Sequence, residues 1–340
     1  MRRRSSGIEL GVIVLAKLSV IQAVNQALMQ EMEANDKVVV LGEDVGKEGG
    51  VFRATEGLQA KFGTQRVIDT PLAENSIIGL SVGMAMEGLK PVAEIQFSGF
   101  LQIGYNQIMN HIGRMRNRTR GKYTTPVVIR TPHGGGIRAL EHHCECVEAI
   151  YAHLPGIRVF APATPYDAKG MLAEAIQSPD PTVILEPTRL YRAVKDEVPE
   201  SRYIVPAGEA RIAVEGKHVT LVSWGPMVRT AVEVANQARA EGIEVEVIDL
   251  RSITPLDSTG LIEKSVQKTG RLVVAQEAPR TAGFAAEVVT QVVEKSFDFL
   301  QAKPMRVTGY DSILPLGTNE DLYIPDTFRL FKAIRQSVSY

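Results

Sequence analysis

The chain has 340 residues and a mass of 37.1 kDa, and its 38 Lys+Arg against 39 Asp+Glu leave a formal net charge of -1. Hydrophobic residues make up 44% and charged residues 23%, ordinary globular usage that excludes a disordered or fibrous chain. The even charge excludes the basic excess of a dedicated nucleic-acid binder, and the length points to two domains.

Met1-Arg2-Arg3-Arg4 followed by Ile8 to Ala16 superficially resembles a secretion signal. Glu9 interrupts the apolar part and no small-x-small cleavage site follows, so residues 1–17 read as a disordered N-terminal extension. Ser19 with Gln22 reads as a capping box, and Val20, Ala23, Val24, Ala27, Leu28 and Met32 recur at helical spacing after it. Lys37 to Leu41, closed by Gly42, is a short apolar run of the buried parallel type. Strands at 66–69, 92–97, 126–130, 157–160 and 182–186 then alternate with helices at 74–87, 102–115 and 164–177. That alternation predicts an α/β domain over 18–190, with a mostly parallel sheet covered on both faces.

From about Glu186 the period fades and Pro187, Pro199 and Pro206 gather with many charges, so 191–215 reads as an interdomain linker. A second α/β series fills 216–340. Its strands are predicted at 218–224, 245–249 and 271–276, its helices at 228–240, 257–268 and 284–295, and a last helix from Thr327. No apolar run reaches the roughly 18 residues needed to span a bilayer. The only cysteines, Cys144 and Cys146, lie one residue apart and can neither staple the fold nor supply four metal ligands, which suits a reducing compartment.

Three features carry candidate chemistry, each with a plainer reading beside it. Gly134-Gly135-Gly136 follows a strand, but Thr131-Pro132-His133 stands between strand and glycines and no ribose-binding acid ends the next strand. A flexible loop therefore competes with, and outweighs, a dinucleotide site. Glu74 opens a helix just past the strand ending at Asp69. It either complements the helix dipole or presents a carboxyl group on the ligand side of a parallel sheet, where burial would raise its pKa. Glu141-His142-His143-Cys144-Glu145-Cys146 follows the glycine loop, and one of its histidines is either solvated or a proton donor and acceptor near neutral pH. The run Arg114 to Arg120 reads as a cationic cap at a helix end.

Leu41-Gly-Glu-Asp-Val-Gly46, Gly50-Val-Phe-Arg-Ala-Thr-Glu-Gly57, Asp69-Thr-Pro-Leu-Ala-Glu-Asn75, Glu94-Ile-Gln-Phe97, Thr164-Pro-Tyr-Asp-Ala-Lys-Gly170 and Asp249-Leu-Arg-Ser-Ile-Thr-Pro-Leu-Asp257 occur in one order along the chain. In that order they resemble the β subunit of the E1 component of 2-oxo acid dehydrogenase complexes, most of all the pyruvate dehydrogenase type of Gram-positive bacteria. The resemblance implies two three-layer α/β/α domains, a pyrimidine-binding transketolase-like domain followed by a transketolase-C-like one. It implies an α2β2 heterotetramer with an E1 α subunit, and thiamine diphosphate lying between the two kinds of chain. Mg2+ would be held by the α subunit, whose G-D-G motif this chain lacks. The acyl group formed would pass to the lipoyl domain of an E2 acyltransferase, which also docks through a peripheral subunit-binding domain.

By the same resemblance, Glu74 matches the carboxyl group that hydrogen-bonds N1′ of the aminopyrimidine and favours the tautomer that activates the thiazolium C2. Phe100 matches the aromatic that packs on the pyrimidine, and Gln96 a neighbouring contact. His143 matches the histidine of acyl transfer, with Cys144-Glu145 following it where the family often has Ser-Gln. Carbonyls of Val127, Ala175, Ile176, Ser178 and Asp180 match those that hold a structural K+. Location would be cytoplasmic in a bacterium or archaeon and the mitochondrial matrix in a eukaryote. Branched-chain 2-oxo acid or acetoin dehydrogenase is an alternative activity, and a non-catalytic scaffold docking E2 an alternative of another class.

Overall fold

A computed structural model describes residues 14–340. Strand β1 (Leu15–Ser19) leads directly into helix α1 (Val20–Ala34), and the Ser19–Gln22 capping box forms as the sequence predicts. The first sheet contains β2 (Val38–Gly42), β3 (Val67–Asp69), β4 (Lys90–Glu94), β5 (Val128–His133), β6 (Arg158–Phe160) and β7 (Thr182–Pro187). Its spatial order runs β6-β7-β5-β4-β2-β3, all parallel. Helices α2 (Glu74–Met86) and α3 (Pro165–Gln177) belong to this series, with Pro165 at the first turn of α3 and Thr164 capping it.

The segment expected to be a linker is ordered. It carries β8 (Lys195–Pro199) and β9 (Arg211–Val214), and β8 pairs antiparallel with β1. Residues 15–17 of the expected disordered extension therefore lie in a strand, while residues 1–13 fall outside the described part. The physical reason is pairing across 180 residues in the chain (Leu15 with Pro199 and Ser19 with Lys195), which no local periodicity reveals. Val198 and Val205 supply the buried side chains that hold the segment down.

The second sheet takes β9, β10 (Val219–Ser223), β11 (Val245–Asp249), β13 (Leu272–Ala275) and β14 (Met305–Val307) in the order β14-β13-β10-β11-β9, parallel except for β9. Helices α4 (Met227–Ala240), α5 (Leu261–Thr269), α6 (Ala285–Ser296) and α7 (Thr327–Val338) complete this series. Between β11 and α5 the short strand β12 (Ser252–Thr254) crosses to the first sheet and pairs antiparallel with β6. Arg251 beside it bonds Asp167 of α3 at 2.8 Å, and Arg211 of β9 reaches the same Asp167 carboxylate at 3.4 Å as well as Asp249 at 3.1 Å. The two domains are thus sewn together by a strand and by buried ions. Asp249 is pushed up to about 6 by burial and by Asp167 beside it.

Two local expectations change. The predicted strand over 126–130 runs Val128–His133, because β7 offers it hydrogen-bonding partners as far as Pro187, so Thr131-Pro132-His133 is sheet and not a spacer. The predicted helix over 102–115 is broken into a 3-10 turn (Phe100–Gly104), one α turn, a π turn (Ile108–Ile112) and a further short helix from Met115. Gly104 lies so close to α2 that a Cβ on it would stand 2.2 Å from Ile78 Cδ1. Packing against α2 sets this path, and helical spacing alone does not.

Candidate active site

The parallel strands of the first sheet all end on one side, and the candidate residues gather there. Glu43 follows β2, Glu74 opens α2 after β3, Gln96 follows β4 and Gly134 follows β5. Glu74 is 5% exposed and sits in the first turn of α2, so it is a buried carboxyl group that also complements the helix dipole. Gln96 Nε2 donates to the carbonyl of Glu43 at 2.7 Å, locking the ends of β2 and β4 together.

Glu43 is the residue that the sequence reading passed over. It is buried, its Oε1 has no hydrogen-bond partner, and its pKa is pushed up to about 7. Burial is the main cause, and the charges of Glu74, Asp44 and Glu94 add to it. The Glu43 and Glu74 carboxyl groups thus lie close enough at the strand ends for the charge of one to act on the other. Behind them Glu94 on β4, Arg130 on β5 and Glu186 on β7 form a buried row. Arg130 donates to Glu94, and to both oxygens of Glu186 at 2.7 Å, while Tyr191 Oη donates to Glu186 at 2.6 Å. Two carboxylates share one guanidinium, and burial holds Glu94 above the ordinary carboxylate range despite Arg130.

His143 enters from the other side, on the loop between β5 and residue 147. Its ring centroid lies 4.6 Å from that of Phe97 and 5.3 Å from that of Phe100, edge-on to the latter. The Nδ1 atom stands 2.9 Å from the carbonyl of Glu141, so Nε2 is the ring nitrogen left to act outward. His142 lies farther from Phe100, at 6.0 Å, and takes a left-handed backbone with φ 69°. Glu74, Gln96, Phe100 and His143 are thereby brought to one region, through Glu43 and Phe97.

Several anchors fix the loop. Ser98 Oγ donates to the Glu145 carbonyl at 2.7 Å. Glu320, fully buried in the second domain, accepts the N–H groups of Gly136 at 2.6 Å and Arg138 at 2.8 Å. Near the loop's ends His133 Nε2 stands 3.4 Å from Glu148 Oε2, and Cys146 joins them with all three donor atoms within 4.8 Å. Glu320 lies 184 residues from the Gly136 N–H that it accepts, and Ser98 47 residues from Glu145, distances that no local pattern in the sequence reveals.

Three of the five carbonyls expected to hold K+ already accept hydrogen bonds within the chain. Val127 O accepts the Thr182 N–H at 3.0 Å, and Asp180 O accepts from Arg158 at 3.3 Å. Ile176 O accepts from the Lys90 ammonium at 2.7 Å. Ala175 is buried in the last turn of α3, and Ser178 caps that helix with its Oγ accepting the Asp180 N–H at 3.1 Å. Two monovalent cations sharing one carbonyl, about 4 Å apart, repel by about 4 kcal/mol at the effective dielectric of a partly buried site.

A family profile described as Transketolase, pyrimidine binding domain matches residues 16–194, and one described as Transketolase, C-terminal domain matches residues 208–329. Pyruvate dehydrogenase E1 component subunit beta of Acholeplasma laidlawii is 50% identical over 322 residues, 95% of this chain and 98% of that one. The protein of the same name from Bacillus subtilis is 42% identical over 326 residues, 96% of this chain and 100% of that one. The chain belongs to the family of pyruvate dehydrogenase E1 β subunits. Among solved structures, a split-gene transketolase described as an inactive beta4 tetramer superposes with a TM-score of 0.75 over 95% of this chain and 99% of that one. At 24% identity that likeness speaks for the fold of this family member alone.

Proposed function

We propose that this chain is the β subunit of a thiamine diphosphate-dependent pyruvate dehydrogenase E1, decarboxylating pyruvate and passing the acetyl group to the lipoyl group of E2. The observation that carries the reading is the buried pair Glu43 and Glu74 at the strand ends, with Glu43 Oε1 unpartnered. A buried carboxyl oxygen without a donor costs about 1–3 kcal/mol, and an aminopyrimidine supplies the missing donors. Glu74 with Gln96 and Phe100 would hold that ring. Bound there, the cofactor supplies an electron sink at the carbon released by decarboxylation.

The protein's own work is then electrostatic and positional. Glu74, buried at the strand ends, would hydrogen-bond a nitrogen of that ring and orient it. Glu43, whose pKa burial and neighbouring carboxylates push up to about 7, keeps its proton to a higher pH than an ordinary carboxyl group. The aromatic wall of Phe97 and Phe100 excludes water and fixes the His143 ring. His143 Nε2 faces outward, where it would give and take protons as the acyl group leaves for the lipoyl arm. Mg2+ would be held by the partner α subunit in an α2β2 heterotetramer, and E2 would be met through its lipoyl and peripheral subunit-binding domains. The proposed domain division is 18–190 for the pyrimidine-binding part and 216–340 for the C-terminal part, with 191–215 between them, although β9 within that segment joins the second sheet. Among the described residues, no helix is long and apolar enough to cross a membrane; the reading places the chain in the cytoplasm of a bacterial cell.

The test is turnover by the chain co-purified with its E1 α partner, with thiamine diphosphate and Mg2+, comparing pyruvate with 3-methyl-2-oxobutanoate. Faster turnover of pyruvate is expected. Faster turnover of the branched substrate would move the assignment to branched-chain 2-oxo acids. An α-containing complex with no cofactor-dependent turnover would leave a docking role.

A further inference from the structure

Lys90 opens β4 at the edge of the first domain, away from the candidate active site. Its Nζ donates to Ile176 O at 2.7 Å and to Gln177 O at 2.9 Å. These are the last carbonyls of α3, which a helix leaves without internal partners and which carry the negative end of its dipole. A carboxylate completes the setting. Glu31 of α1, 2% exposed, accepts the Gln177 side chain at 3.1 Å and Arg202 at 2.9 Å, and its charge favours the protonated Lys90 against the burial that lowers its pKa.

We infer that the Lys90 ammonium is the resident cation of the carbonyl cluster at the end of α3, so that this chain folds and assembles without a bound potassium ion. An ammonium group and K+ are both compact monovalent cations that take carbonyl oxygens as ligands. A tethered one is always present, because it loses no translational freedom on seating and does not depend on the salt around it. The neighbourhood is already rich in positive charge. Arg158 donates to the Asp180 carbonyl, and Arg116 bonds the Asp180 carboxylate at 2.8 Å. A free cation arriving at the same carbonyls would meet Lys90 and Arg158 together. The potassium expectation comes from the E1 β reading, but the Lys90 contacts stand without it.

The test uses the assembled heterotetramer with the α subunit, melted in KCl and in choline chloride at equal ionic strength. The wild-type midpoint is expected to be the same in both salts. Lys90→Met is expected to melt lower in choline and to regain its midpoint, saturably, as K+ or NH4+ is added. If that variant does not assemble, Lys90→Gln replaces it in the same titration. A wild-type midpoint that climbs and saturates with K+ would overturn the inference, and so would a variant whose loss no monovalent cation restores. Turnover of pyruvate is measured alongside. Absent turnover would count against the enzyme assignment, whereas a potassium-dependent melt would count against Lys90 alone.

Discussion

The contact between Gly99 and His142 offers the sharpest test of how the site is held. Gly99 has φ -63° and ψ -36°, angles that alanine adopts freely, so Gly99→Ala brings no backbone strain. What it lacks is room. A Cβ at this position would stand 2.2 Å from the His142 carbonyl oxygen and 2.9 Å from its carbonyl carbon. Heavy atoms in contact sit at about 3.5 Å or more, so the His142 backbone must withdraw by about 1 Å. Ser98, next to Gly99, ties the same loop down through the Glu145 carbonyl, so the strain cannot relax by a simple lift of the loop. Overpacking of this kind costs about 1–3 kcal/mol of stability. The kinetic effect is larger, because His143 follows His142 and a misplacement of about 1 Å can cost about 100-fold. Gly99→Ala should therefore slow acetylation of a free lipoyl domain by about 100-fold. Decarboxylation followed with an artificial electron acceptor should fall much less. Wild-type lipoyl acetylation in a variant that melts normally would refute the reasoning, because it would mean that the loop moves without cost or that His143 has no part in transfer.

Glu74→Gln should abolish decarboxylation while the heterotetramer still assembles, as gel filtration with activity measurement will show; retained turnover would remove Glu74 from the mechanism. For His143→Ala the expected loss lies in lipoyl acetylation and not in cofactor binding or assembly, and unchanged acetylation would make it a bystander. Glu43 is an acid whose folded pKa of about 7 lies above its ordinary value of 4.5. The stability it contributes is full below about pH 4.5 and is lost as the pH rises through 7. Glu43→Gln should flatten that decline in denaturant titrations between those pH values, and a slope identical to wild type would show that Glu43 does not titrate there.

Much of the architecture was legible because parallel strands buried on both faces leave continuous apolar runs. Lys37 to Leu41 and Thr182 to Glu186 could hardly be read otherwise. Glu74 was legible for a related reason, since a carboxyl group one turn past a strand end has few places to go except the ligand side of the sheet. Pattern alone nevertheless could not separate it from an ordinary dipole-complementing glutamate. Its 5% exposure shows that the carboxyl group is buried, and exposure depends on elements that pack from elsewhere in the chain.

What escaped the sequence was pairing at a distance. Glu43 stands inside one of the motifs that carried the resemblance, yet nothing in Leu41-Gly42-Glu43-Asp44 says that its charge will face Glu74 and Glu94 in a space without donors. Glu320 lies 184 residues from the Gly136 N–H that it accepts, and Lys90 lies 86 from the Ile176 carbonyl that it caps. Each of these is a single polar side chain, and a single side chain leaves no period behind. Such residues do share a physical signature once the fold is known, a helix end or loop whose N–H or C=O groups are buried and must be bonded by something. The last turn of α3 and the loop bearing His143 both meet that condition. A charged side chain of opposite polarity answers it in each case, Lys90 for the carbonyls and Glu320 for the N–H groups. The same accounting leaves Glu43 Oε1 unanswered among the described residues, which is why the site is read as one that a ligand completes.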